Sequence, residues 1–264
     1  MRKFVLVCVL AGLPGLAASS QQQPSPRQQG DALRARDVAS GEDAVCEAPV
    51  APKKNLTAWA DLTRYAEDNA ALPPVAKGEK RVVFYGSSSV DHWGRKDDSV
   101  FFPGEPYVNR GISGETTAQM LLRFEQDVVE LKPAAVVLLG GTNDPAGNSG
   151  PMSLDMTETN IAAMAAIAQA NGIKMILASQ LPVTQFPWNK CVHAGPILLA
   201  LSAWEKVFAA EKHLGYVDFY SALVGEDGNF KPGLSPDGVH PNKKAYELMT
   251  PVAEDVIHKV LKTR

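Results

Sequence analysis

The run Ala134-Ala135-Val136-Val137-Leu138-Leu139 constrains the fold more than any other segment of this chain. It is apolar along its whole length, it lies between Lys132-Pro133 and Gly140-Gly141, and it is too short for an ordinary buried helix. A strand that is apolar on both faces needs helices above and below it, and that is the environment of a parallel sheet. Residues 173–178 repeat the pattern. Shorter β-branched and aromatic runs occupy 81–85, ending at Gly86, then 107–109, leading into Arg110-Gly111-Ile112, and finally 216–219. Between these runs, apolar residues recur at helical spacing over 57–69, 117–131, 157–170, 197–213 and 243–261, the last with a bend expected at Pro251. Strands alternating with helices of this length imply βαβ crossovers and one α/β domain over residues 55–264. In such a sheet, ligand sites lie beyond the carboxyl ends of the strands.

The chain opens differently. Arg2 and Lys3 precede an apolar stretch over 4–16 and the small residues Ala17-Ala18-Ser19-Ser20, the pattern of an export signal over residues 1–20. The stretch falls short of the ~20 residues that a membrane-spanning helix needs. Residues 21–54, rich in Gln, Pro, Ser, Arg and Ala, read as a disordered leader or linker. The expected location is therefore periplasmic or extracellular, with no stable membrane span. Loss of the signal removes Cys8 and leaves Cys46 and Cys191, which can pair in an oxidising compartment or stand as unrelated thiols. The net charge of −3, without a run of basic residues, argues against a nucleic-acid partner. His193 near Cys191 lacks zinc-ligand spacing, and no metal site is expected. Asn55-Leu56-Thr57 matches a glycosylation acceptor and equally a helix start.

Four polar clusters fall at the strand ends or in a late loop. Gly86-Ser87-Ser88-Ser89 follows the first strand, where glycine permits a sharp turn and a serine can project its hydroxyl over the sheet edge. Gly111-Ile112-Ser113-Gly114-Glu115-Thr116 follows the second; it either exposes backbone N–H groups to a ligand or simply caps a helix. Gly140-Gly141-Thr142-Asn143-Asp144 follows the apolar strand and offers an amide donor, or a turn. Ser235-Pro236-Asp237-Gly238-Val239-His240 precedes the last helix, with a carboxylate close enough in sequence to orient an imidazole. Beyond these, His92 and Trp93 border the pocket or pack beneath it, and Phe186-Pro187-Trp188 shapes an acyl or sugar site or packs a surface loop.

In that order, on one α/β chain, these clusters resemble the SGNH hydrolases, also called the GDSL esterase/lipase family. The resemblance runs from about Arg81 to the closing helix and includes Val108-Asn109-Arg110-Gly111-Ile112-Ser113-Gly114 and Leu138-Leu139-Gly140-Gly141-Thr142-Asn143-Asp144. It implies a three-layer α/β/α sandwich of flavodoxin-like type and a serine esterase that uses no cofactor. Ser88 then matches the nucleophile, and Asp237 and His240 match the rest of its triad. The oxyanion hole would comprise the backbone N–H groups of Ser88 and Gly114 and the side chain of Asn143. Ser87 replaces the Asp of the family's Gly-Asp-Ser, and with three adjacent serines Ser87 and Ser89 are alternatives for the nucleophile. The expected substrate is a small-molecule or carbohydrate ester with a short acyl group. An acyltransferase on the same scaffold and an inactive carbohydrate-binding relative are the alternatives.

Overall fold

The computed structural model describes residues 56–96 and 98–262. The proposed signal, the leader and Asn55 lie outside the described residues. Two short helices, α1 (Leu56–Trp59) and α2 (Ala66–Ala71), lead into β1 (Val82–Gly86) and the short α3 (Ser88–Asp91). The chain continues through β2 (Tyr107–Gly111), α4 (Thr117–Asp127), β3 (Ala135–Leu139), α5 (Leu154–Ala170) and β4 (Lys174–Ala178). A two-stranded hairpin, β5 (Gln185–Phe186) and β6 (Asn189–His193), precedes α6 (Ala194–Glu211), β7 (Gly215–Val217), α7 (Phe219–Leu223) and α8 (Lys243–Lys262).

Five parallel strands form the central sheet in the order β2-β1-β3-β4-β7. This is the doubly wound order of flavodoxin-like sheets, in which the chain changes direction between β1 and β3. β1 and β3 are buried at every position, as two-sided coverage demands. Alternate residues feed two cores. Val83, Tyr85, Val136, Leu138, Met175 and Leu177 pack with α4, α5 and α6, whereas Val82, Phe84, Val137 and Ile176 pack with Trp93, Phe102 and α8. The result is the expected three-layer α/β/α sandwich. Among the described residues, no helix is long and apolar enough to cross a membrane.

Some elements differ from the sequence expectation. The helix expected over 57–69 is two helices, parted at Asp61, whose φ of 46° ends the right-handed run. The helix expected to 131 stops at Asp127, and a single 3₁₀ turn over Val129–Leu131 follows before Lys132 turns left-handed ahead of Pro133. Phe219 belongs not to the last strand but to α7, where the Asp218 side chain accepts a hydrogen bond from the Ser221 N–H and caps the helix. Phe186-Pro187-Trp188 forms a hairpin rather than a loop.

Two glycines bring the turn at Ser87-Ser88-Ser89 close to the sheet. A Cβ on Gly86 would lie 2.1 Å from the Leu139 carbonyl oxygen, and one on Gly111 would lie 2.2 Å from the Asp91 nitrogen. The ends of β1, β2 and β3 can close on α3 only where these side chains are absent.

Candidate active site

Ser88 opens α3 directly after β1, and the residue is 8% exposed. Its Oγ lies 3.0 Å from His240 Nε2, across 152 residues of chain. His240 Nδ1 lies 2.7 Å from Asp237 Oδ2, while Asp237 Oδ1 accepts from the backbone N–H groups of Val239 and His240 at 2.9 and 2.8 Å. Burial acts to raise the Asp237 pKa, but these hydrogen bonds and the imidazole's charge outweigh it and bring it down to about 2. An ionised carboxylate only accepts, so Nδ1 carries the ring proton and Nε2 is left to accept from the Ser88 hydroxyl. Ser87 is buried at the helix cap, and the Ser89 carbonyl accepts from Tyr246 Oη at 3.0 Å. Of the three serines, Ser88 is therefore the one placed against the imidazole.

The loop after β2 runs alongside. Ser113 Oγ donates to Asp91 Oδ2 at 2.5 Å, tying the loop to α3. Gly114 has φ 83°, a conformation open to glycine. Thr116 then caps α4 through a capping box with Gln119, so its part is to start the helix. Asn143 Nδ2 donates to the Glu115 carbonyl at 2.9 Å, and its Oδ1 accepts from Asn148 Nδ2 at 3.1 Å. Those bonds hold the amide beside Gly114 and leave its second N–H for another acceptor. The next residue, Asp144, accepts from the Thr117 N–H at 3.1 Å, from the Thr117 hydroxyl, and from Thr157 Oγ1 at 3.0 Å. Its carboxyl clamps the loop onto α4. Ser88, His240 and Asp237 thus meet at the carboxyl edge of the sheet, where the loops bearing Gly114 and Asn143, bridged by Asn148, also leave β2 and β3.

Sequence reasoning missed the support beneath them. Arg123, fully buried on α4, donates through Nη1 to the Arg110 carbonyl at 3.0 Å and through Nη2 to the Gly86 carbonyl at 3.3 Å. It pairs with Glu115 at 2.6 Å and with Asp127 at 3.1 Å, and its guanidinium sits 4.3 Å from the centre of the Tyr85 ring. One cation therefore joins the ends of β1 and β2 to the loop bearing Gly114. Burial pushes Glu115 up to about 7 against the pull of Arg123. No sequence signal marks this arginine, because a single Arg on an amphipathic helix usually faces solvent. On the other side, Trp93 is buried under the site and stacks on Tyr246, whereas His92 lies beside His240 with ring centroids 5.0 Å apart. Among the described residues, no group of three His, Cys, Asp or Glu side chains is placed to hold a metal ion.

The family model for GDSL-like lipases and acylhydrolases matches residues 76–248, which include every residue of this site. The chain belongs to the GDSL-like lipase/acylhydrolase family. It is thus a member of a family of carboxylic ester hydrolases. A solved GDSL-like lipase from Bacteroides thetaiotaomicron is 42% identical, with a TM-score of 0.72 over 76% of this chain and 98% of that one. Esterase TesA of Pseudomonas aeruginosa is 33% identical over 138 residues, 51% of this chain and 60% of that esterase's length. An acetylxylan esterase from Geobacillus stearothermophilus shares the fold at 21% identity, with a TM-score of 0.54 over 70% of this chain and 96% of that one. Within the matched segment, the turn after β1 reads Gly86-Ser87-Ser88-Ser89.

Proposed function

We propose that this protein is an exported serine esterase that hydrolyses short-chain acyl esters, chiefly acetyl esters, including those carried on carbohydrate. The observation that carries the proposal is the relay from Asp237 through His240 to Ser88, with contacts of 2.7 and 3.0 Å. His240 Nε2 takes the proton of Ser88 as Oγ attacks the ester carbonyl. Negative charge on the carbonyl oxygen is met by the Ser88 and Gly114 N–H groups and by the Asn143 amide. As the first residue of α3, Ser88 has an N–H that the helix itself leaves unpaired. Collapse of the tetrahedral species passes the proton from His240 to the leaving alcohol and leaves an acyl-Ser88. Water, deprotonated by the same imidazole, then releases the acid.

Short acyl groups are favoured because the loops over 112–116, 140–144 and 235–241 are brief and polar, with no apolar segment to enclose a long chain. The fold shared with an acetylxylan esterase points the same way. Export rests on the basic-then-apolar start of the sequence. A nitrophenyl ester series of increasing acyl length, run on wild type and Ser88→Ala, tests the proposal. Turnover should be highest for acetate and should fall by at least about 10³ without the hydroxyl. Equal rates in the two proteins would refute it.

A further inference from the structure

We propose that Trp188 sets alcohol specificity: its half-exposed indole, fixed beside His240, packs against the pyranose ring of an acetylated sugar. This rests on the esterase reading above and deepens it by naming the alcohol. In that reading His240 hands a proton to the departing alcohol oxygen, so the alcohol must lie against the imidazole as the bond breaks. The groups flanking that imidazole therefore line the alcohol's subsite.

Two rings flank it. The His92 ring lies 5.0 Å from His240 with planes 30° apart, and the Trp188 ring lies 6.4 Å away with planes 27° apart. The outer nitrogen of His92 is already engaged, with Lys96 Nζ at 2.7 Å and Ser113 Oγ at 3.2 Å. Trp188 is 49% exposed, whereas Trp93 is 1% exposed, so one indole fills the core and the other is open to solvent.

The open indole is held rigidly. Phe186 is fully buried and packs on it at 5.3 Å. Asn189 Nδ2 donates to the Ala146 carbonyl at 3.1 Å, which pins the hairpin to the segment that carries Asn143. A side chain fixed in advance loses little freedom on binding.

Its chemistry selects the ligand. The negative π face of indole attracts the polarised C–H groups on one side of a pyranose, while the sugar's hydroxyls stay in water. An alkyl alcohol gains less, because it presents no broad side of polarised C–H groups to the indole.

The test has a kinetic arm and a binding arm. In the first, kcat/KM is measured for an acetylated xylo-oligosaccharide and for ethyl acetate in wild type, Trp188→Ala and Trp188→Tyr. The sugar-to-ethyl ratio should fall about two- to tenfold in Trp188→Ala, the size of one lost aromatic contact, and largely return in Trp188→Tyr. Equal losses on both esters would mean that Trp188 only packs the hairpin, and would overturn the proposal. In the second arm, Ser88→Ala is titrated with the same oligosaccharide and followed by tryptophan fluorescence. A saturable change should appear and should vanish in Ser88→Ala/Trp188→Tyr; its persistence there would also overturn the proposal. Sugar binding through Trp188 in a wild type that turns over neither ester would uphold the sugar contact of Trp188 and sink the esterase reading on which its alcohol specificity rests. Hydrolysis of ethyl acetate with a ratio indifferent to Trp188 would do the reverse.

Discussion

At the scale of single residues, the site separates a charged relay from a neutral donor. Asp237, held down to about 2 by its hydrogen bonds and the neighbouring imidazole, remains ionised far below neutrality and goes on orienting the ring there. Asn143 carries no charge at any pH. In the proposed mechanism its free N–H matters most once the carbonyl oxygen has become an oxyanion. A donor used only there contributes to kcat and little to KM. Asn143→Ala should therefore lower kcat and kcat/KM together by about 10²–10³, with KM close to wild type. The same change leaves the Glu115 carbonyl without its partner, at a cost of about 1–3 kcal/mol in stability. Thermal unfolding shows whether the variant is folded when the rates are taken. A rise in KM with kcat unmoved would place Asn143 in ground-state binding instead.

At the scale of elements, the Ser88 turn and the Gly114 loop are joined by their own hydrogen bonds and, from beneath, by α4. Arg123 reaches from that helix to both strand ends, and removing it would leave Glu115 and Asp127 buried without their cation. Breaking a buried ion pair from one side costs about 3–5 kcal/mol. Arg123→Ala should therefore lose stability on that scale in urea or thermal unfolding, although it touches no reacting atom. A variant as stable as wild type would show that water takes over the role of the guanidinium. This element also marks the limit of what the sequence reveals. β3 and β4 were legible because they are apolar on both faces, and the five site residues because each stands in a recognisable phrase at a strand end. The break at Asp61 was hidden because a left-handed residue other than glycine leaves no compositional trace. The hairpin was hidden because its two strands are short, mostly exposed and interrupted by Pro187. Arg123 was invisible because its burial depends on partners from three separate segments, and no local pattern encodes such a meeting.

At the scale of the whole molecule, the buried acids make stability depend on pH in a definite direction. Burial raises Glu115 to about 7 and Asp144 to about 6, and it pushes Glu205 well above its ordinary value, with Gln180 Nε2 donating to Glu205 Oε1 at 3.0 Å. A folded acid with a raised pKa holds its proton where the unfolded chain has released it. Its contribution is complete below the unfolded pKa, about 4, and is lost as pH climbs through the folded value. Asp237 has the opposite sign, but its contribution is lost only as pH falls below about 4 towards 2, outside this window. Between pH 5 and pH 8 the acids with raised values therefore dominate, and the unfolding midpoint should fall as pH rises. For a domain of this size, each kcal/mol corresponds to about 2–4 °C. Glu115→Gln removes one titrating group while keeping its shape, so its midpoint should depend less steeply on pH than that of wild type over the same interval. A wild-type midpoint that rises across this range would mean that these carboxyls fold in their charged forms, with Arg123 outweighing the cost of burying Glu115.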